Sequence, residues 1–228
     1  MALTTRPPGS PSAIRAAIGA DVSARLHADP MMQRLPSDAV QAWRAPDYFD
    51  AETCARLVAT IDSRRRPSTL MTDKGTAASR TSESCDMDRN APDVRVLDER
   101  IAATLGLEPR LGETMQGQRY AAGQHFRAHH DYFHEGESYW PQMKAVGGQR
   151  TFTAMVYLND VEEGGATWFP RAGLRAVPRR GMLLVWNNMN PDGSPNTATL
   201  HEGMPVVDGV KYIVTKWFRE ATWVGLRA

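Results

Sequence analysis

Four of the six histidines lie between residues 125 and 134, and an aspartate lies among them. Within this cluster, His129 and Asp131 are two residues apart. In an extended backbone, side chains two residues apart project from the same face, so both can turn inward while His130 points away. One distant histidine, His201, would complete a set of two imidazoles and one carboxylate. These residue types at this spacing predict a metal site.

The donor set also indicates the metal. Two imidazoles and one carboxylate on one face of an ion leave the opposite face open, which is typical of non-haem iron(II) oxygenases. A structural zinc site instead takes four protein ligands, usually with thiolates among them. The chain has only two cysteines, Cys54 and Cys85, which are too few for such a site or for a disulfide framework. The pattern therefore favours an open iron site.

A lysine follows the last histidine by ten residues, in a segment whose composition predicts a strand over residues 211–218. In that strand, Lys211, Thr215 and Trp217 share one face, and Lys216 lies on the other. An inward lysine in an apolar barrel needs an anionic partner, because an unpaired buried charge is costly. The distal carboxylate of 2-oxoglutarate would serve, with the Thr215 hydroxyl adding a hydrogen bond. The alternative is a solvent-facing lysine on an edge strand.

Three amphipathic helices are predicted ahead of these residues. The first runs from Ser12 to about His27, the second follows Asp50 as its N-cap, and the third is opened by Pro92. The first helix has an apolar residue at every fourth position, namely Ile14, Ile18, Val22 and Leu26. Between the second and third helices, residues 66–92 are polar and lack periodicity, which predicts a long irregular loop of the kind that often forms a lid.

After about Glu113, short segments rich in β-branched and aromatic residues alternate with turn residues. This spacing predicts a sandwich or barrel, so the fold class is expected to be α+β with a mainly β core. The predicted strands are Met115–Tyr120, Arg150–Leu158, Ala166–Phe169, Arg175–Val177, Gly181–Asn187 and Lys211–Phe218.

The overall charge and hydropathy narrow the possible partners. The formal net charge is +1, which gives no reason to expect a nucleic-acid partner. No stretch approaches the roughly 20 apolar residues that span a bilayer, so no membrane partner is expected. The first thirty residues lack the apolar core of a signal peptide, and a cytoplasmic location is predicted. The sequence carries no signal for the oligomeric state.

Several segments together resemble the catalytic domain of the prolyl 4-hydroxylase α-subunit family, in bacterial form, within the 2-oxoglutarate/Fe(II)-dependent dioxygenase superfamily. They occur in the family's order between about residues 46 and 220. The segments are Arg80-Thr81-Ser82, Tyr120-x-x-Gly123-Gln124-x-Phe126-x-x-His129-x-Asp131, Tyr157-Leu158-Asn159-Asp160-Val161-x-x-Gly164-Gly165-x-Thr167, and His201-x-Gly203-x-Pro205-Val206 followed by Gly209-x-Lys211-Tyr212 and Thr215-Lys216-Trp217.

The resemblance implies a double-stranded β-helix (a jelly-roll, cupin-like barrel) packed against N-terminal helices, with an extension over residues 1–45 and the dioxygenase domain over 46–228. It implies iron(II) bound by His129, Asp131 and His201, 2-oxoglutarate anchored by Lys211, dioxygen as the oxidant and ascorbate as a supporting reductant. These four residues are the expected catalytic set. Further cosubstrate contacts are implied at Tyr120, Thr215 and Thr167. Substrate contacts are implied at Arg80, Ser82, Arg150 and Trp217.

Three functions remain open at this point. The first is hydroxylation of a prolyl residue in a protein or peptide, with oxidative decarboxylation of 2-oxoglutarate to succinate and carbon dioxide. The second is hydroxylation of a free amino acid or other small molecule at the same iron site, which would need a closed pocket. The third is a non-catalytic β-barrel that binds a metal or ligand, but such a barrel would have no need of the lysine.

Overall fold

The computed structural model describes residues 8–69 and 79–225, which form four α-helices and fourteen strands. The helices are α1 (Ala13–Ala28), α2 (Ala51–Arg64), α3 (Pro92–Leu105) and α4 (Trp140–Ala145). The strands are β1 (Gln33–Arg34), β2 (Ala42–Ala45), β3 (Arg66–Pro67), β4 (Glu83–Asp86), β5 (Gln116–Tyr120), β6 (Phe126–His129), β7 (Arg150–Tyr157), β8 (Glu163–Gly164), β9 (Thr167–Phe169), β10 (Leu174–Ala176), β11 (Leu183–Asn187), β12 (His201–Gly203), β13 (Val206–Asp208) and β14 (Lys211–Arg219).

The strands form one large and one small antiparallel sheet, with a short two-stranded ribbon of β13 and β8. The large sheet has the order β1-β2-β11-β7-β14-β5-β4-β3, and the small sheet has the order β10-β9-β12-β6. Apolar side chains from both sheets form one cluster between them. This arrangement confirms the predicted α+β class with a mainly β core and a double-stranded β-helix.

The two central strands of the large sheet, β7 and β14, separate two layers of core. On β7, Phe152 and Val156 face the helices and pack in one cluster with Leu57 of α2. The alternate residues Met155 and Tyr157 face the small sheet and belong to the second cluster. Side chains of a strand alternate between its two faces. Both sets are apolar on β7, because the helices cover one face of the sheet and the small sheet covers the other.

The helices begin where their sequence signals predict. The Asp50 side chain accepts from the backbone N–H of Thr53 at 2.7 Å and caps α2, and α3 starts with Pro92 in its first turn. The stripe on α1 is only partly buried, because Ile14 is 65% exposed whereas Leu26 is fully buried. A strict four-residue repeat drifts by about 40° per step around a helix of 3.6 residues per turn, so the N-terminal end of the stripe leaves the face that its C-terminal end packs on.

The segment between α2 and α3 is less irregular than predicted. Residues 66–67 form β3 and residues 83–86 form β4, which pairs with β5 and extends the large sheet. The expectation of a continuous irregular loop was therefore wrong at both ends of the segment, and its central part, residues 70–78, lies outside the described residues. Backbone hydrogen bonds to β4 and β5 form these strands, although their side chains show no alternating pattern.

Residues 8–45 are joined to the rest of the fold. Strands β1 and β2 lie in this stretch, and β2 pairs with β11 in the large sheet. Helix α1 packs against α3 and β7. In the described ranges, no helix combines the length and hydropathy required to cross a membrane.

Candidate active site

Two neighbouring strands of the small sheet carry the histidines identified from the sequence. Strands β6 and β12 pair antiparallel, and the register places His201 directly opposite His129. Asp131 follows two residues after β6 and turns to the same side. One ligand atom from each of the three residues lies within 4.8 Å of the others. Strand pairing therefore brings together side chains that are up to 72 residues apart in the chain.

Both imidazoles are held in the tautomer that suits a metal ligand. The Nδ1 atom of His129 lies 2.9 Å from the carbonyl oxygen of Arg127, and Nδ1 of His201 lies 2.9 Å from that of Thr199. A carbonyl can only accept, so each Nδ1 carries the proton and donates it. Each Nε2 then has a free lone pair and lies 3.8 Å from an oxygen of Asp131. That spacing is too long for a hydrogen bond, and it leaves room for an ion between the three side chains.

The protonation states are also those of a ligand set. Burial, reinforced by the neighbouring His201, lowers the pKa of His129 to about 3, so this imidazole is neutral. Burial acts to raise the pKa of Asp131, but its polar surroundings, which include His201, Arg150 and the hydrogen bond from Thr153, together hold that pKa below its usual value. A neutral imidazole beside a buried carboxylate is what a divalent cation requires, and the residues present therefore fit iron(II).

A hydrogen-bonded chain fixes the carboxylate. The Thr153 hydroxyl donates to Oδ2 of Asp131 at 2.7 Å, and the Asn188 amide donates to the Thr153 oxygen at 2.9 Å. Because a carboxylate only accepts, the Thr153 proton points at Asp131 and its lone pair receives the amide N–H. Neither Thr153 nor Asn188 was among the predicted residues. Thr153 could have been found from its position, because it is a polar residue on the interior face of the strand that also carries Met155 and Tyr157.

The candidate metal ligands line a cavity that Lys211 enters from β14. Lys211 is 2% exposed, and burial lowers its pKa to about 7. No carboxylate of the described residues lies within 4.0 Å of its Nζ, which instead faces the rings of Tyr120 at 5.0 Å and Tyr157 at 5.7 Å. An enclosed, unpaired ammonium group is a binding site for an anion. The alternative of a solvent-facing lysine is excluded.

The predicted cosubstrate residues all line this cavity, and the three hydroxyls among them are hydrogen-bonded within the protein. The Tyr120 hydroxyl donates to Oε1 of Gln118 at 2.6 Å, and the Gln118 amide donates to the Thr215 oxygen at 3.2 Å. The Thr167 hydroxyl accepts a bond of 2.7 Å from the Tyr157 hydroxyl. Gln118 was not predicted, although it lies two residues before Tyr120 and therefore faces the same way.

The four predicted substrate residues lie in different surroundings. Arg80 and Trp217 line the cavity, and the Arg80 guanidinium lies 4.8 Å from the ring centroid of Phe126. Ser82 is buried and bonds to Arg80 and to Ser68. It is therefore placed to support the cavity wall.

Arg150 is not among the cavity residues. Its guanidinium lies behind Trp217, 4.2 Å from that ring, and donates twice to the buried carboxylate of Glu113. Glu113 also binds Arg219 of β14. Arg150 thus supports Trp217 from behind. Its position in an apolar strand did not indicate that its guanidinium is paired with Glu113.

Comparison with known proteins connects this geometry to a family. A family model described as the 2OG-Fe(II) oxygenase superfamily matches residues 115–219, which include the three candidate metal ligands and Lys211. The chain is also similar to Probable prolyl 4-hydroxylase 9 of Arabidopsis thaliana. The two are 32% identical over 209 residues, covering 79% of this chain and 71% of that protein.

Solved structures share the fold. The viral collagen prolyl hydroxylase vCPH of Paramecium Bursaria Chlorella virus-1, solved as its 2OG complex, gives a TM-score of 0.62 at 25% identity, covering 78% of this chain and 95% of that chain. The Trichoplax adhaerens prolyl hydroxylase in complex with a hypoxia inducible factor peptide gives a TM-score of 0.61 at 13% identity, covering 90% of both chains. At that identity, the second likeness concerns the fold alone.

Proposed function

This chain belongs to the prolyl 4-hydroxylase family of the 2OG-Fe(II) oxygenases, and on that premise we propose that it hydroxylates prolyl residues of a protein or peptide. It is a 2-oxoglutarate-dependent dioxygenase, and its reaction takes iron(II), 2-oxoglutarate and dioxygen. When bound, the iron couples the oxidative decarboxylation of 2-oxoglutarate, to succinate and carbon dioxide, with hydroxylation of the substrate.

One observation carries the proposal for the site. The ligand atoms of His129, Asp131 and His201 converge within 4.8 Å, and the same cavity contains the enclosed ammonium of Lys211. A barrel that merely stored a metal would have no use for a second, anion-binding group beside it. A metal site and an anion site in one cavity instead suit a reaction in which a dicarboxylate binds next to the metal.

The roles of the side chains follow from their contacts. The two imidazoles present Nε2 lone pairs, and Thr153 keeps the Asp131 carboxylate turned toward them. Lys211 pairs with the distal carboxylate of 2-oxoglutarate. The stacked ring of Phe126, 3.7 Å from that of His129, and the indole of Trp217 cover the cavity and limit the access of water.

A prolyl substrate is supported by the similar Arabidopsis thaliana protein, which is named as a probable prolyl 4-hydroxylase. Arg80 and Trp217 at the cavity are the residues of this chain that we assign to substrate contact. We further propose that ascorbate supports turnover and that residues 46–228 form the dioxygenase domain, with residues 1–45 as an N-terminal extension. Buried, unpaired thiols at Cys54 and Cys85 suit a reducing compartment such as the cytoplasm.

The test is mass spectrometry of proline-containing peptides after incubation with the full chain, iron(II), ascorbate and 2-oxoglutarate. We expect a gain of one oxygen atom on proline together with formation of succinate. The Asp131→Ala variant is the control for uncatalysed oxidation. If free proline is hydroxylated and no peptide is, the proposed peptide substrate is wrong and the small-molecule alternative is correct.

A further inference from the structure

Arg15 of α1 belongs to the N-terminal extension, and its side chain lies inside the protein. The residue is 4% exposed. Its Nη1 atom donates to Oε1 of Glu135 at 2.7 Å, and its Nη2 atom donates to the carbonyl oxygen of Ser10 at 2.5 Å. A buried guanidinium is costly unless it is paired, so the fold depends on its contact with Glu135. This ion pair joins residues that are 120 positions apart in the chain.

Glu135 is held by the extension at three points. Besides the bond from Arg15, its Oε2 atom accepts from the backbone N–H of Ser10 at 3.1 Å. Its own backbone N–H donates to the carbonyl oxygen of Pro8 at 2.8 Å. Glu135 lies four residues after Asp131, and residues 130–139 form no strand. Because no strand ladder fixes this segment, its path depends on contacts of this kind.

The backbone of Phe133, two residues after Asp131, is fixed as well. The buried Gln149 side chain accepts from the Phe133 N–H at 2.6 Å and donates to the Phe133 carbonyl oxygen at 2.8 Å. The Gln149 backbone N–H donates to Oε1 of Glu220 at 2.7 Å, and this oxygen lies 3.9 Å from Nη1 of Arg15. Arg15 therefore lies between two carboxylates, each of which holds part of the chain that follows Asp131.

The start of α1 also contacts the loop that leads to His201. The Ser12 backbone N–H donates to the carbonyl oxygen of Asp192 at 3.0 Å. Gly193 has a φ of 77°, and a side chain there would collide with the Ser12 carbonyl oxygen, so the two segments lie in close contact. The extension thus holds both the segment after Asp131 and the loop before His201.

We propose that Arg15 is a positioning residue of the metal site, which acts through Glu135 and Glu220 to hold the chain after Asp131 so that this carboxylate faces the two imidazoles. The inference rests on the proposed function, because it takes Asp131 as a ligand of the iron. Thr153 orients the carboxylate itself, whereas Arg15 fixes the backbone that carries it. Arg15 lies outside the region that the family model matches.

The test is equilibrium dialysis of iron(II), without oxygen, against the full chain and its Arg15→Met variant, in which methionine keeps the aliphatic part of the side chain without the charge. Removing a direct partner of a metal ligand typically weakens metal binding about 10- to 100-fold. Arg15 acts one step further away, so we expect a loss of about three- to tenfold. Arg15→Lys should recover most of the affinity, because it keeps a positive charge between the two carboxylates.

Hydrogen–deuterium exchange of the iron-free chain tests the route. The backbone N–H groups of Phe133 and Glu135 donate to Gln149 and Pro8, and in Arg15→Met they should exchange about tenfold faster. A second substitution, Glu135→Gln, should change the iron affinity of Arg15→Met by less than about twofold, because the two residues act as one unit.

Asp98→Asn is the matched control. It breaks another buried ion pair, that of Asp98 with Lys216 at 2.7 Å, on the helical side of the large sheet. Its melting temperature should fall as that of Arg15→Met does, while its iron affinity should change by less than about twofold and the exchange at Phe133 and Glu135 should stay the same.

An unchanged iron affinity in Arg15→Met overturns the inference, and so do an equal loss of affinity in Asp98→Asn and unaltered exchange at Phe133 and Glu135. If Arg15→Met does not fold, Glu135→Gln in the natural sequence, which keeps the shape of the side chain, is judged by the same criteria. These results leave the proposed function intact, provided that the unaltered chain binds iron(II). Failure of the unaltered chain to bind iron(II) overturns the proposed function, and this inference with it.

Discussion

Lys211 should take up a proton when the dicarboxylate binds. Burial lowers the pKa of the free side chain to about 7, and no carboxylate of the described residues compensates for it. A bound carboxylate favours the ammonium form and raises that pKa again. The affinity for 2-oxoglutarate is therefore highest below pH 7 and falls as the pH rises, since the neutral form of the free protein must first be protonated.

The size of the effect follows from the pKa of about 7. At pH 8, about one tenth of the free lysine is protonated, so binding should take up about 0.9 proton. The apparent dissociation constant should rise about fivefold between pH 7 and 8, and about ninefold between pH 8 and 9. These values hold as long as the pKa in the complex lies above 9.

Isothermal titration of 2-oxoglutarate in buffers with different heats of ionisation measures the proton uptake directly. Lys211→Met is the control, because methionine fills the same space and cannot be protonated. We expect weaker binding without the proton uptake, and a higher 2-oxoglutarate requirement for turnover. A natural chain that binds 2-oxoglutarate equally well at pH 7 and pH 9, with no uptake of protons, would refute the assignment of Lys211.

Three further predictions concern the metal and the core. Asp131→Ala, or His129→Ala, should abolish iron-dependent turnover, and equilibrium dialysis should find the iron lost; retained iron would contradict the ligand set. Thr153→Val should weaken iron binding by about three- to tenfold, the equivalent of one hydrogen bond, whereas Thr153→Ser should retain it. Leu57→Ala should lower the free energy of unfolding in urea by about 2–5 kcal/mol without changing iron affinity, because this fully buried side chain packs in the helical layer of the core.

Which elements were predictable depended on whether their signals were local. The Asp50 cap, Pro92 and the run of strands after Glu113 are short-range features, and helices and strands begin close to them. The candidate metal ligands were identified because their types are rare and their chemistry is specific. Their meeting depends on the register of β6 and β12, which only resemblance to known proteins could indicate.

The supporting residues could not be predicted, because each depends on a partner far along the chain. In the sequence, Gln118 cannot be distinguished from any other polar residue of a strand. Its hydrogen-bond partner Thr215 is 97 residues further along the chain. Arg150 was expected at the substrate because nothing in the sequence indicates that Glu113 holds it in the core. Hydrogen-bond partners that are distant in sequence leave no periodic pattern.

The pairing of β6 with β12 also affects the stability of the enzyme when its metal is lost. An ion held by both strands cross-links the small sheet internally, and it joins segments that otherwise share only a short ladder with a register shift. Starvation for iron would then do more than stop turnover, since the unlinked ladder opens more readily to proteases. Bound iron would therefore stabilise the folded chain as well as support turnover.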